Sequence, residues 1–436
     1  MPTIGSYAQQ LSMLNQLNRN YVSMNKHMTA IATGNKINSA KDDASGFSIG
    51  KRMNVEIGAL DQAAANTQTG ASMLKVADGS MSNTLDILQH LKEKALAAAN
   101  STANDRDRAA IQQELNQFID QINDNSLVTF NGQYLVDGSK EGPTELTTQA
   151  FTNQLLSTDT TGSTKLTDLN TRYGDNLGIQ SSDTVTVSYV KDGHTFTKSY
   201  GVADTTLEDI FKQANLAGGG DVFDTTLGDT EVIGTGTDGK EKKTASEENA
   251  ITVKAAESGK AGALAGFTIS VSAADGTVKK SVNASLDAFS ESIAAANKKG
   301  DNSLVLQTGT KPNQNIKASL GGIDARSLGL QGSDGSYLNV GTQANANAAI
   351  NVIDNAINKV LEQSTNVGAL SSRLEYTHSN LTTQSENLTA AMTTLISADI
   401  AKEITNMATD SMLAQASQAM LAQSYQNSSW FLNLLG

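Results

Sequence analysis

Apolar side chains recur three and four residues apart over both ends of the chain. Near the start, Leu14, Leu17, Tyr21, Met24, Met28 and Ile31 follow the a/d spacing of a coiled-coil seam. A second run passes through Ile57, Leu60, Ala64, Ala71, Leu74, Met81, Leu85 and Leu88 to Ala95, and a shorter third through Ile111, Leu115, Phe118 and Ile122. The carboxyl flank holds the longest repeat. Ile353, Val360, Val367, Leu374, Leu381, Leu388 and Leu395 recur at every seventh residue, which predicts left-handed supercoiling against a partner. The alternate seam positions are Ser364, Ser371, His378 and Ser385, so the stripe is narrow. An ordinary helix bundle is the other reading, but long helices with so thin a stripe suit a globule poorly. The apolar surface they bury against one another recovers little of the entropy lost in ordering them. These helices are therefore expected to need neighbours beyond their own hairpin, supplied by assembly.

The middle of the chain alternates with a period of two. Val185, Val187 and Tyr189 share one face of a strand, Lys191-Asp192-Gly193 supplies a turn, and Phe196 and Tyr200 lie on the returning strand. A helix is predicted next, with Thr205 and Glu208 in capping-box spacing and Leu207, Ile210, Phe211 and Ala214 inside. From Phe267 the sequence reads as a second copy. Phe267, Ile269 and Val271 alternate, Asp275-Gly276 turns, Val278 and Val282 return, and Leu286, Phe289 and Ile293 line a helix. The expected fold is mainly α, a long helical coiled-coil hairpin stem from the paired N- and C-terminal flanks, carrying an α+β central insert. The three prolines stand at Pro2, Pro143 and Pro312, so the flanks are free of the residue that breaks helices from within.

Composition narrows the function. The 436 residues carry 32 basic and 45 acidic side chains, a net charge of -13 that disfavours binding to nucleic acid phosphates. The absence of cysteine removes disulfides, thiolate metal sites and thiol nucleophiles together. Four histidines, His27, His90, His194 and His378, are too far apart in sequence for a metal-binding pair, and Thr195 after His194 breaks any zinc-protease pattern. Gly218-Gly219-Gly220 follows a helix instead of preceding one, so it reads as a terminator and not as a phosphate cradle. Asp42-Asp43 belongs to a turn, and Asp105 and Asp107 to a helix start. Calcium in the Asp/Gly-rich middle is a weak alternative, since no Asp-x-Asp-x-Asp-Gly loop is present. No catalytic residue, cofactor site or metal site is expected. The start lacks the basic and apolar runs of a cleaved secretory signal, and no segment is long and apolar enough to span a membrane.

Thr33 to Gly46, reading TGNKINSAKDDASG, is similar to the "SSGLRINSAxDDAAG" signature of the bacterial flagellin family, and is the first of five stretches, in order, that resemble it. Leu88 to Thr102 resembles its "LQRVRELAVQSANST" helix, Phe130-Asn131-Gly132 its hairpin start, and Ile323 to Leu330 its "VDARSLGL". The tail from Ala414 through Leu421-Ala422-Gln423 to Leu432–Leu435 is similar to its "QAxxxxLAQANQ…LxLL". The resemblance covers about the first 140 and last 110 residues, and the middle is similar only in kind.

The resemblance implies a filament subunit for swimming motility, with both termini in the wall of a tube and the insert facing solvent. It implies export, without a cleaved signal, through the flagellar type III apparatus to an extracellular flagellum. The partners implied are other copies of the chain, the cap and hook-junction proteins, an export chaperone and the export apparatus. The layers would be 1–45 and 396–436 inside, 46–140 and 321–395 outside, and an insert of 141–320 with two tandem strand–strand–helix units. Packing and assembly would fall to the seam residues Leu14, Leu17, Tyr21, Met24, Met28 and Ile31, to the seven-residue repeat from Ile353 to Leu395, and to Met420, Leu421, Trp430, Leu434 and Leu435. Gly34, Asn38, Ser39, Asp42, Asp43 and Gly46 would form a non-helical link between layers. The terminal segments are expected to be disordered in the monomer and helical in the polymer, because their stripe lacks a partner until then.

The resemblance also implies contact with the host's Toll-like receptor 5 through Gln89, His90, Glu93, Lys94 and Glu114. Here His90 replaces the family's arginine and Lys94 a leucine, which predicts a weaker ligand because imidazole lacks the guanidinium fork. Further departures are Gly5-Ser6-Tyr7 after Ile4 and the missing proline near Asn427–Trp430. The rival readings are a hook–filament junction protein and a filament protein with an adhesive insert.

Overall fold

The computed structural model describes Ile4–Gly218 and Gly220–Leu435, with side chains described for residues 8–218, 220–228 and 231–427. Two compact units emerge. One comprises residues up to Thr67, Gln307–Gln314 and residues from Tyr376; the other comprises Gln68–Leu306 and Asn315–Glu375. The helices are α1 (Ile4–Thr33), α2 (Ala44–Ala99), α3 (Asp105–Ser126), α4 (Leu207–Gly218), α5 (Lys280–Leu286), α6 (Ala325–Leu328), α7 (Gln343–Ile396) and α8 (Ile400–Leu435). The architecture is mainly α, with an α+β insert between α3 and α7. The division into units falls inside α2 and α7, whereas the sequence places its layer boundaries near residues 45 and 396.

In the first unit α1 packs on α8, and α2 on α7 through Leu60, Ala63 and Leu381. In the second, α2, α3 and α7 share a core that includes Leu74, Met81, Leu88, Leu115, Ile119, Ile353 and Val360. Ile353, Val360, Val367, Leu374 and Leu381 are all buried, and Leu388 and Leu395 half-buried. The polar alternates of the α7 seam are used as well. Ser364 Oγ donates to Asp78 (3.2 Å), Ser385 Oγ donates to Asp61 (2.7 Å), and His378 Nδ1 meets the Ala64 carbonyl (3.3 Å). At Ser364, His378 and Ser385 the seam makes a hydrogen bond to α2 instead of an apolar contact.

Local chemistry fixes the ends of α2 and α3. Asn104 caps α3 by accepting from the Arg106 and Asp107 amides while Asp107 accepts from the Asn104 amide, a capping box. Arg108 is buried and donates to the Ala98 and Asn100 carbonyls, satisfying the orphan acceptors at the end of α2. After α3, β1 (Thr129–Phe130) and β2 (Gln133–Tyr134) form a hairpin whose turn residues, Asn131 (φ 49°) and Gly132 (φ 76°), both have the positive φ of a type I′ turn.

The insert holds β3 (Ala150–Asn153), β4 (Thr184–Lys191), β5 (His194–Gly201), β6 (Phe223–Thr230), β7 (Val232–Thr235), β8 (Glu241–Lys243), β9 (Ala250–Ala255), β10 (Leu264–Ser272), β11 (Phe289–Ile293), β12 (Leu304–Gln307) and β13 (Asn315–Ala318). One sheet runs β10-β4-β5 and another β11-β3-β9-β6, with α4 packed on β4, β5 and β6. Tyr189, Phe211, Phe223, Phe151, Val185 and Ile269 fill its core.

Two expectations are corrected here. The cap of α4 is Thr206 with Asp209, one residue later than the expected Thr205 and Glu208: Thr206 donates to Asp209, and the Asp209 amide donates back to Thr206 Oγ1. The second strand–strand–helix copy does not form. Val282 lies in the short helix α5, and Phe289–Ile293 is a strand paired with β3, while β10 joins the β4–β5 hairpin as a third strand beside β4. The spacing of Leu286, Phe289 and Ile293 spans a helix end and a strand, so its helical period is accidental.

Asp287 follows α5 and accepts from the Ile269 amide (2.8 Å) and from Asn351 Nδ2 of α7 (3.3 Å). Burial outweighs these hydrogen bonds and pushes its carboxyl up to about 6. The folded state thus holds the proton more tightly than the unfolded chain does. Stability rises as pH falls from about 6 toward about 4, and the buried charge is a burden above 6. Asp287→Asn keeps an acceptor for the Ile269 amide. It is expected to stabilise the chain at neutral pH by about 1–2 kcal/mol, allowing for partial solvent screening, and to flatten that slope. Urea midpoints at acid and neutral pH measure both effects; an unchanged slope refutes them.

Candidate functional site

The terminal helices run antiparallel. On α1, Leu17, Asn20 and Ala30 are buried, and Met24, His27 and Ile31 half-buried. From α8 come buried Ala414 and Ser417, with half-buried Glu403, Asp410 and Leu421. The stripe expected to lack a partner within the chain therefore has one at every second position. The other half faces outward: Leu14 is 40 % exposed, Tyr21 36 % and Met28 54 %, and on α8 Met420 is 54 % exposed. These are the alternate positions of the same heptads, one helical face away. Trp430, Leu434 and Leu435 lie in α8, but their side chains are outside the described residues.

The seam between α1 and α8 is strongly polar. Asn20 Nδ2 donates to Ser417 Oγ (3.4 Å), and Gln418 donates to the Tyr21 hydroxyl. His27 sits between two carboxylates, with Nδ1 on Glu403 and Nε2 3.5 Å from Asp410 Oδ2. The sequence reading gave this histidine no role.

Between α1 and α2 the link is built by its own side chains. Gly34 has φ +72°, the left-handed conformation that ends α1. Asp42 accepts from the Asn38 and Ser39 amides and from Ser39 Oγ; the Ser39 hydroxyl is the main cause that holds its carboxyl below the usual range. Asp43 caps α2 by accepting from the Ser45 and Gly46 amides (both 3.0 Å). A Cβ on Gly46 would meet Asp43 Oδ2 at 2.5 Å and Ile37 Cδ1 at 2.6 Å, so a larger residue there would push both side-chain ends aside. Asn38 Nδ2 donates to the Asn35 carbonyl (2.8 Å). The link is tied to the α7–α8 connection by two backbone bonds, Lys36 N–H to Ile396 O (2.8 Å) and Ala398 N–H to Gly34 O (2.9 Å).

The receptor candidates lie on the outer faces of α2 and α3. Gln89, His90, Glu93 and Glu114 are exposed and Lys94 half-buried. Lys94 Nζ is 2.7 Å from Glu114 Oε2, so two of the candidates occupy each other. The His90 ring stacks on Phe118, with centroids 6.3 Å apart, and its Nδ1 is 3.4 Å from Glu93.

Among the described residues no cluster of His, Cys, Asp and Glu has the geometry to hold a metal ion, and no helix is long and apolar enough to cross a membrane. The arrangement offers surfaces and seams.

Comparison with known proteins matches both ends. The family model for the bacterial flagellin N-terminal helical region matches residues 4–141, and that for the C-terminal helical region matches residues 350–435. A flagellin of Clostridium tyrobutyricum is 30% identical over 414 residues, covering 95% of this chain and 96% of that protein. Polar flagellin A of Vibrio parahaemolyticus is 30% identical over 421 residues, covering 96% of each. Among solved structures, the flagellar junction protein FlgL from Legionella pneumophila covers 80% of this chain and 100% of its own at 13% identity, with a TM-score of 0.33.

Proposed function

Because this chain belongs to the bacterial flagellin family of structural filament subunits, we propose that its terminal helix pair assembles copies of it into an extracellular flagellar filament. The observation that carries the reading is the pair Leu14 and Met28, left outward on either side of Tyr21, whose hydroxyl reaches back to Gln418, by a helix whose other face is already paired. Apolar side chains aligned over four helical turns mark a surface for another polypeptide. In this reading 1–45 with 396–436 form the inner layer, 46–140 with 321–395 the outer, and 141–320 faces solvent. The chain leaves the cell through the flagellar type III export apparatus with an export chaperone, and meets hook-junction and cap proteins at the filament ends. The test is electron microscopy of purified chain added to sheared filament seeds. Elongation supports the reading; a chain that stops growth after one layer is a junction protein, and one that never adds overturns both.

Recognition by Toll-like receptor 5 is proposed to be weak. Interface energy concentrates in a few residues, and here the cation of Lys94 already engages Glu114. Lys94→Leu frees that carboxylate and restores an apolar contact, while His90→Arg restores a bidentate donor. The double variant is expected to gain roughly tenfold in signalling potency in receptor-expressing cells. No gain rejects the proposal.

A further inference from the structure

A cleft where the insert meets α6 and α7 carries the opposite charge to the rest of the chain. Lys191 at the end of β4, Lys260 in the turn before β10, Arg326 of α6 and Lys359 of α7 line one cavity of about 520 Å³, all within the second unit. The whole chain has a net charge of -13. Salt screens that excess beyond about 10 Å, so the groups in the cleft decide what it attracts.

The inner side of the cleft is fixed by its own hydrogen bonds. Glu291 is only 13 % exposed; its Oε1 accepts from Gln149 Nε2 (2.7 Å), and its Oε2 stands 3.4 Å from Lys359 Nζ. Gln149 is buried, and its amide is bonded both ways to the Leu264 backbone (2.9 and 2.6 Å). Lys191 lies 3.8 Å from Glu257, and the Asp192 carboxylate is taken up by the Ser333 amide and hydroxyl. Lys260 and Arg326 stand exposed at the mouth and take part in no ion pair among the described residues.

An ammonium has three N–H donors and a guanidinium five, so most of the donors in this cleft are unspent. The remaining lining is small and mixed. Ala263, Ala265 and Ala295 give it an apolar wall, while Ser327 and Gln331 offer partners for hydroxyl groups. Among the described residues no aromatic ring lines it, so a nucleobase has nothing to stack on. A cavity of this volume takes a small molecule. We propose that the cleft binds a sugar-sized anion, a polyhydroxyl ring bearing phosphate or carboxylate. Arg326 grips the oxyanion with its fork at the mouth, Lys260 adds a second charge there, and Lys359 meets the ligand from the inner side.

Ligand-observed NMR on the full-length monomer at low salt tests this, with glucose 6-phosphate, galacturonate and, as the uncharged control, glucose. At least one of the two anions is expected to half-saturate the protein at or below about 1 mM, with glucose at least roughly tenfold weaker. Saturation by glucose 6-phosphate alone identifies a phosphate site, and saturation by galacturonate a carboxylate site. Lys260→Gln/Arg326→Gln is expected to weaken anion binding at least roughly tenfold at an unchanged thermal midpoint, since both side chains are exposed. Lys198→Gln/Lys242→Gln removes two exposed charges outside the cleft and is expected to leave binding as it was. The proposal is overturned if neither anion saturates, if glucose binds as tightly as the anions, if Lys260→Gln/Arg326→Gln binds normally, or if both double variants lose affinity alike.

Discussion

Phe211→Ala is expected to collapse the insert and leave the helical wall standing. The Phe211 ring is fully buried and meets Phe223, Phe267 and Phe289 with centroids 5.2, 5.8 and 6.2 Å apart, tilted or edge-on. Truncation removes the keystone of that aromatic cluster, at a cost of about 3–5 kcal/mol. The core of α2, α3 and α7 is a separate cluster of side chains, in which Phe211 has no part. Hydrogen exchange should therefore speed up in β4 and β10 and stay slow in α2 and α3. Seeded elongation should continue, because the proposed assembly surface lies on the terminal helices. Loss of elongation together with the insert would show that the wall depends on it.

The second large effect is on assembly itself. Leu14→Asp/Met28→Asp places two charges on the outward stripe, at side chains 40 % and 54 % exposed. Exposed substitutions of this kind shift monomer stability by no more than about 0.5 kcal/mol each. Buried between copies, each carboxylate would cost several kcal/mol, so elongation on seeds should stop. Leu17→Asp is the contrasting control. Leu17 is buried in the seam, so the charge should separate α1 from α8 within the monomer. A double variant that elongates at the normal rate removes the stripe from the interface.

The sequence disclosed its local features and hid those that depend on distant partners. The seven-residue repeat from Ile353 to Leu395 is visible because one helix face repeats without interruption. The β4–β5 hairpin is visible because strict alternation brackets Asp192-Gly193, whose φ values of 52° and 79° suit a type I′ turn. β11 was hidden because its partner β3 lies more than a hundred residues earlier and reads Ala150-Phe151-Thr152-Asn153, with little alternation. The α4 cap slipped by one because adjacent threonines, Thr205 and Thr206, each precede an acidic residue by three.

The candidate site follows the same rule. The link residues Asn38 to Gly46 act on one another over four residues or fewer, so a short motif discloses them. His27 and Glu403 are 376 residues apart, and a lone histidine on an apolar stripe carries no signal of its carboxylates. The alternate burial of Leu17 against Leu14 was likewise illegible, since both fit the a/d pattern and only the position of α8 separates them.

The two backbone bonds between Gly34–Lys36 and Ile396–Ala398 bear on mechanics. They rivet the outgoing and returning polypeptide at one cross-section, so torque reaching either strand is divided between both. Neither end can swivel by itself about Gly34, and a tug on the first helix is felt by the last at the same height. In a rotating shaft, a subunit anchored this way yields as a ribbon, with two strands of backbone sharing the load that a single loop would otherwise carry.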